Sequence, residues 1–416
     1  MVKTNIKYSY WIIIVLLLLA TSLSFLDRQV LSVSILEIKK DLSISDIDYG
    51  FINAGFLISY AIMFTLGGIL IDRYGSRLGL AFSVGFWSFA TLLHSLSTSV
   101  FHFGLFRFML GVGEGGCFPG AIKAVMEWVP RNKHALANGI AIGGSAIGAV
   151  VAPPLSVYLL GIVGWRGVFL VTGGFGFMWL LSWLFFSGKK RQSAMQSTEE
   201  IHEESEPLSE KIKLTALLKN KEVKVFVIIR FILDPIFYFY MFWIPKYLNE
   251  VHSLSIEAIG RILWIPFLAL GLANVLGGWV SDLVFIKTSN VNLSRKLIMG
   301  VAAGLTIPIV FVGFLHSYVL ILVLMALAFF AHGLWITNYI TSISDIFGKQ
   351  VTSTVVGLSG SAGAISSLVL NPFIGFVITR YSYSPLWWYA GLMYPLAFLL
   401  LLKFIPRIEI LKSKLC

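Results

Sequence analysis

Long apolar stretches alternate with short polar turns along the whole chain. The run Trp11 to Leu26 contains no ionisable residue, and neither does Leu78 to Leu93. Each approaches the ~20 apolar residues an α-helix needs to cross a bilayer. A soluble helix of that length would carry polar residues along its outer face. Segmenting at polar turns and Gly/Pro punctuation predicts twelve spans: 9–35, 47–71, 78–99, 101–126, 134–160, 166–187, 222–248, 257–284, 295–315, 318–342, 352–380 and 385–405. The longest polar stretch, 188–221, holds an acidic run from Glu199 to Glu206 between two basic clusters and reads as a solvated linker. It divides the chain into an N-terminal six-helix bundle (1–187) and a C-terminal one (222–416). The fold class predicted is an all-α membrane protein of twelve transmembrane helices in two pseudo-symmetric six-helix bundles.

Composition agrees and adds orientation. Only 13% of residues are charged, about half the usual share in soluble proteins. The net charge of +11 could suggest nucleic-acid binding, but the basic residues sit in short loops between apolar segments. With the N-terminus inside, 22 of the 32 Lys and Arg residues fall on the cytoplasmic side; six fall outside and four lie within spans. That asymmetry predicts a multi-pass protein of a bacterial inner (plasma) membrane with both termini cytoplasmic. The apolar run after Lys7 continues through Leu26-Asp27-Arg28 without a small-residue cleavage site, so it reads as a retained first helix. Cys117 and Cys416 are too far apart in the pattern to suggest a disulfide.

An internal repeat follows the two-bundle division. Loop 2–3 reads Gly67-Gly68-Ile69-Leu70-Ile71-Asp72-Arg73-Tyr74-Gly75-Ser76-Arg77. Six spans later, loop 8–9 has Gly277-Gly278, then Asp282, then Arg295-Lys296. Glycine permits close helix approach, and the acid can cap a helix start or pair with the arginines. Gly68, Asp72, Arg73, Gly75, Arg77, Gly278 and Asp282 are therefore the candidate gating residues. The G-x-x-x-D-R-x-G-x-R stretch at 68–77 resembles the loop 2–3 signature of the major facilitator superfamily, and the resemblance covers essentially the whole chain.

A narrower likeness is to the anion:cation symporters, which include hexuronate and galactonate transporters, sialin and the vesicular glutamate transporters. Four segments carry it: Leu26-Asp27-Arg28; Arg107 with Glu114 and the glycines between and after them; Asp234-Pro235 through Phe242-Trp243-Ile244-Pro245; and Ala331-His332-Gly333-Leu334-Trp335. The resemblance implies alternating access by a monomer, with no cofactor beyond a coupling ion. That ion is H⁺, with Na⁺ as the alternative.

The ionisable residues inside the spans are the candidate chemistry. A charge at the bilayer centre costs ~2.5–3.5 kcal/mol on insertion scales, so it should face a partner or a watery cavity. Arg107 and Glu114 are seven residues apart, ~10 Å of helical rise, and share one face. Span 1 runs the opposite way and places Asp27-Arg28 near the level of Arg107. Arginine offers a bidentate fork for a substrate carboxylate, and a carboxylic acid in a dry cavity can alternate between neutral and charged forms. In similar transporters the matching acids, here Asp27 and Glu114, serve proton coupling, and the matching arginines, here Arg28 and Arg107, contribute to anion recognition. Tyr60 aligns with a cavity tyrosine of galactonate-type relatives. Arg230 either joins the site, snorkels to the interface or pairs with Asp234 at i,i+4. His332, Trp335 and Asn338 recur at i, i+3 and i+6, a polar-aromatic stripe that either faces the cavity or packs.

The expectation is uptake, by proton-coupled symport, of a small organic anion, with a sugar acid such as a hexuronate or aldonate first. Phe25 and Ser145 stand where galactonate-type relatives carry a hydroxylated aromatic and an amide, so another organic anion (an aromatic or amino-acid-derived carboxylate, or a siderophore) stays open. A non-transporting sensor is the remaining alternative. No nucleophile–base pair, metal-ligand spacing or nucleotide fingerprint is readable, so neither an enzyme nor an ATP-driven pump is expected.

Overall fold

The computed structural model describes residues 6–44, 46–188 and 214–410. Its helices are α1 (Ile6–Leu42), α2 (Asp46–Tyr74), α3 (Ser76–His94), α4 (Val100–Glu114), α5 (Cys117–Trp128), α6 (His134–Phe186), α7 (Leu214–Lys219), α8 (Lys221–His252), α9 (Ile256–Ile262), α10 (Trp264–Thr288), α11 (Val291–Thr306), α12 (Tyr318–Arg380) and α13 (Ser384–Phe404). Among the described residues there is no β-strand. Short polar side chains start several helices: Ser99 accepts from the His102 amide at 3.2 Å, Asn220 from Val223 at 3.0 Å and Asn290 from Leu293 at 2.9 Å.

Eight stretches are long and apolar enough to cross a membrane. Two of them, within α6 and α12, are each a pair of spans. The chain turns back at Gly164 and Gly348, both with φ 63°, a left-handed conformation that costs glycine little. The other two spans are α4–α5, interrupted at Gly115-Gly116, and α8, which carries Arg230 and Asp234. Twelve spans result among the described residues. The sequence predicts turns of several residues at 161–165 and 343–351; each contracts to a single glycine because helical hydrogen bonding persists on both sides. Of the predicted linker, 189–213 lies outside the described residues, while Leu214–Lys219 forms α7 rather than coil.

Spans before and after the linker pack chiefly among themselves, α1 on α6 and α12 on α8 and α10. The two groups meet along two seams, α2 against the second limb of α12 and the first limb of α6 against α10. Thr65 and Ser361 share a 2.7 Å hydroxyl hydrogen bond across the first seam, and Asn138 donates to Thr341 at 3.0 Å between α6 and α12. Phe82, Leu181, Phe185, Phe311 and Leu399 are largely exposed on the outer surface, the position of lipid tails.

Candidate functional site

Three of the four charges expected from spans 1 and 4, Arg28, Arg107 and Glu114, meet between α1 and α4, and Asp27 is buried beside them. Glycine-lined contact of α4 with α2, where Gly111 lies on Phe56 and Ser59, brings α4 close enough for Glu114 to reach α1. The Glu114 carboxylate accepts from Arg28 Nε at 2.5 Å and from Ser24 Oγ at 3.0 Å. Arg107 Nη2 donates to the Arg28 carbonyl at 3.0 Å. Three rings enclose the Arg28 guanidinium: Tyr60 at 4.4 Å, Phe25 at 4.9 Å and Phe56 at 5.3 Å. Cation–π contact of this kind holds a guanidinium without neutralising it. The Arg28 side chain stays 19% exposed while Glu114 is wholly buried. Asp27 is 1% exposed, and neither of its carboxylate oxygens has a hydrogen-bond partner. Arg107 Nε and Glu114 Oε1 are likewise buried and unpartnered. Such groups are costly unless something else completes them.

The C-terminal half contributes a different arrangement. Arg230 Nε donates to both oxygens of Asp234, at 2.7 and 2.8 Å, one turn along α8. His332 Nδ1 meets the Tyr394 hydroxyl at 2.5 Å, and its ring stacks on Phe237 with centroids 4.6 Å apart. Trp335 is 1% exposed and packs edge-on to Tyr394 and Phe398. Asn338 donates to the Gly277 and Leu334 carbonyls at 3.2 and 3.0 Å, tying α10 to α12. His332 is thus held by Tyr394 and Phe237, and it is buried like Trp335 and Asn338 in the bundle interior. Tyr238 was not singled out from the sequence. It lies on α8, which carries the Arg230–Asp234 pair, near enough to Arg28 to feel its charge. Its place on α8, four residues after Asp234 and eight after Arg230, is the signal that could have found it.

The two repeated loops act alike at one end of the bundle. Asp72 accepts from the Ser353 amide at 3.2 Å, the Thr354 amide at 2.6 Å and the Thr354 hydroxyl at 2.7 Å. Asp282 accepts from the amides of Ala135 and Leu136 at 3.3 and 2.8 Å. Each acid therefore caps the start of a span in the opposite half, where free N–H groups favour an anion. Gly68 lies against the Ser353–Thr354 backbone and Gly278 against Ala135–Leu136, with no room for a Cβ at either. The ionic partner of Asp72 is Lys123, at 2.8 Å, which also donates to the Lys349 carbonyl. Arg73 is exposed and stacks over Tyr74, and Arg77 offers its carbonyl to Trp183 Nε1. Gly75 makes the turn between α2 and α3 at φ 82°. Asp282 is held by Arg295 at 3.2 Å, which also pairs with Asp345 at 2.9 Å. A separate surface cleft of about 1220 Å³, lined by Arg131, Glu222 and Arg407 among others, contains none of these charges.

Known proteins are similar to this chain over most of its length. A hexuronate transporter of Escherichia coli strain K12 is 28% identical over 395 residues, covering 92% of this chain and 90% of its own. A probable galactarate/D-glucarate transporter, GudP, of the same strain is 28% identical over 435 residues, with 98% and 96% covered. Among solved structures, the proton:xylose symporter XylE bound to 6-bromo-6-deoxy-D-glucose superposes with a TM-score of 0.76 at 16% identity, covering 97% of each chain. The human organic anion transporter MFSD10 gives 0.71 at 13% identity, covering 94% of this chain and 99% of that one. At those identities the structures speak for the fold alone. The model of the Major Facilitator Superfamily matches residues 17–370. With twelve spans, paired capping acids and a family match over most of its length, the chain belongs to the major facilitator superfamily.

Proposed function

We propose that this protein carries a small organic anion, a sugar acid such as a hexuronate or aldonate, into the cell together with protons, by alternating access of its two halves. The observation that carries the reading is Arg28. Its Nε is held by Glu114, three rings surround its guanidinium, and the side chain remains partly exposed. A substrate carboxylate arriving there competes with Glu114 for the guanidinium. Protonating Glu114 weakens its hold, because a charge-assisted hydrogen bond is roughly twice as strong as a neutral one. Proton loading and anion binding therefore favour each other. Hexuronate and aldarate transporters among the relatives support the substrate class. In the positive-inside orientation the capping acids lie on the cytoplasmic side, so the contacts at Asp72 and Asp282 close that side.

The ring enclosure of Phe25, Phe56 and Tyr60 favours a second reading, in which the carboxylate belongs to an aromatic acid stacking on those rings. Uptake of labelled D-galacturonate, D-galactonate and benzoate into proteoliposomes under an imposed ΔpH separates the two. Accumulation of a sugar acid that collapses with the gradient is the expected result; accumulation indifferent to ΔpH, or of benzoate alone, would overturn the leading reading. Replacing Na⁺ by K⁺ in the same assay leaves uptake unchanged if the coupling ion is H⁺.

A further inference from the structure

Asp27 and Arg28 are consecutive on α1, so their side chains leave the helix about 100° apart. Arg28 turns toward Glu114 and the ring enclosure, and Asp27 toward the interior of its own bundle. There the hydroxyls of Thr172, on the second limb of α6, and Thr91, on α3, come within reach of its carboxylate, yet neither closes a hydrogen bond. Asp27, Thr91 and Thr172 are 1%, 2% and 1% exposed, and their carboxylate and hydroxyl oxygens are all unpartnered. The helices are close here because Gly173, next to Thr172, lies against Leu92 and Ser88, and Gly176 against Ser88. His94, three residues after Thr91, keeps Nδ1 on the Ala90 carbonyl and stacks on Phe169, leaving Nε2 without a partner. The charged groups around the pocket are Arg107 and Glu114 of α4 and the neighbouring Arg28.

A hydroxyl both donates and accepts. It can donate to an ionised carboxylate and accept from a protonated one, whereas a valine of the same shape can do neither. We infer that Thr91 and Thr172 are positioning residues that complete, with Asp27, a proton-holding pocket walled off from the anion, and that their hydroxyls set the pH at which it loads. The inference rests on Asp27 being a proton carrier, so its test reads Asp27 without needing a substrate.

Infrared spectra of the reconstituted protein are recorded as pH is varied. The carboxylic-acid C=O stretch that vanishes in Asp27→Asn reports the site. In Thr91→Val and Thr172→Val the midpoint of that band moves up by about one pH unit, the effect of one lost donor to the charged form. Thr91→Ser and Thr172→Ser restore it. Should a valine variant fail to fold, the cysteine variant, a weaker donor, gives a smaller shift in the same direction. An unmoved midpoint in folded valine or cysteine variants overturns the role of the threonines and leaves Asp27 as carrier. A spectrum with no titrating band assignable to Asp27 overturns both.

Discussion

Neutralising the two capping acids should loosen the bundle at the loop 2–3 end, and by unequal amounts. Asp72 makes three hydrogen bonds to the start of the second limb of α12, the two amides and the hydroxyl of Ser353 and Thr354. All three break when the halves separate there, whereas the Lys123 pair stays within its own half. Hydrogen bonds to a charged group are worth about 1.5–3 kcal/mol each. Asp72→Asn keeps one acceptor oxygen, which can hold the two Thr354 contacts only as weaker neutral bonds, and loses the Ser353 amide, together a shift of about 3 kcal/mol, on the order of a hundredfold in the closed-to-open ratio. Asp282 makes only two such bonds across its seam, one of them long at 3.3 Å. Asp282→Asn should therefore shift the ratio roughly tenfold.

The reporter is Ser361→Cys, which lies on the α2 seam beside Thr65 and Ala61, in a background with Cys117 and Cys416 replaced. A membrane-impermeant maleimide applied from the loop 2–3 side measures the rate of labelling. Acceleration by Asp72→Asn well above that by Asp282→Asn is expected. Equal rates, or the reverse order, would refute the assignment of these acids as helix caps that hold the halves together.

Three further outcomes follow from the same geometry. Glu114→Gln should abolish ΔpH-driven accumulation while leaving exchange of the anion, since glutamine keeps the Arg28 contact but cannot change charge; unchanged gradient-driven uptake in proteoliposomes would count against Glu114 as a coupling acid. Arg28→Lys should raise KM at least tenfold, because an ammonium loses both the planar fork and the stacking on Tyr60 at 4.4 Å; a KM within about twofold of the wild type would contradict anion binding at Arg28. Asp41, beyond the outer end of the first span, is held below the usual carboxylate range by hydrogen bonds from Arg166 at 2.6 Å and Trp165 at 3.1 Å. Its contribution to stability is therefore present above the unfolded value of about 3.9 and fades as pH falls through the lower folded value. Thermal unfolding of wild type and Arg166→Gln should differ at neutral pH and converge in acid, with a constant difference ruling the pair out as the cause.

The spans were legible because each is written in about twenty residues of its own sequence. Where the prediction missed, local pattern ran out. Nothing in the apolar run around Gly164 distinguishes a one-residue reversal from a five-residue loop, because only the backbone angle differs. Long-range partners were harder still. Asp72 was expected either to cap a helix start or to pair with nearby arginines. The cap lies 281 and 282 residues away at Ser353 and Thr354, and the charge partner is Lys123, which stands on another helix. The convergence of Arg28, Arg107 and Glu114 could be anticipated from helix direction and spacing, since depth along a span is a linear function of residue number. Rotation about the helix axis is not so easily read. That is why Thr91, Thr172 and Tyr238 escaped notice and why Trp335 and Asn338, on the right helix, turn into the core.

The two halves also divide the work differently. In the C-terminal half the arginine is paired within one helix: both Asp234 oxygens take Arg230 Nε one turn away, so no movement between helices is needed to keep the pair together, while Arg230 Nη1 stays buried without a partner. A pair of that kind carries no net charge and is indifferent to the relative position of α1 and α4. In the N-terminal half the contacts of Arg28, Arg107 and Glu114 run between helices. Glu114 on α4 needs Arg28 on α1, Arg107 on α4 reaches only a carbonyl of α1, and Asp27 has no partner at all. A proton or an anion entering that cluster changes which of these contacts can coexist, and therefore how α1 sits against α4. On the proposed reading, coupling belongs to the N-terminal half, while His332, Tyr394 and Tyr238 of the C-terminal half shape the space that decides which anion fits. Substitutions there should alter the choice of substrate before they alter its dependence on ΔpH.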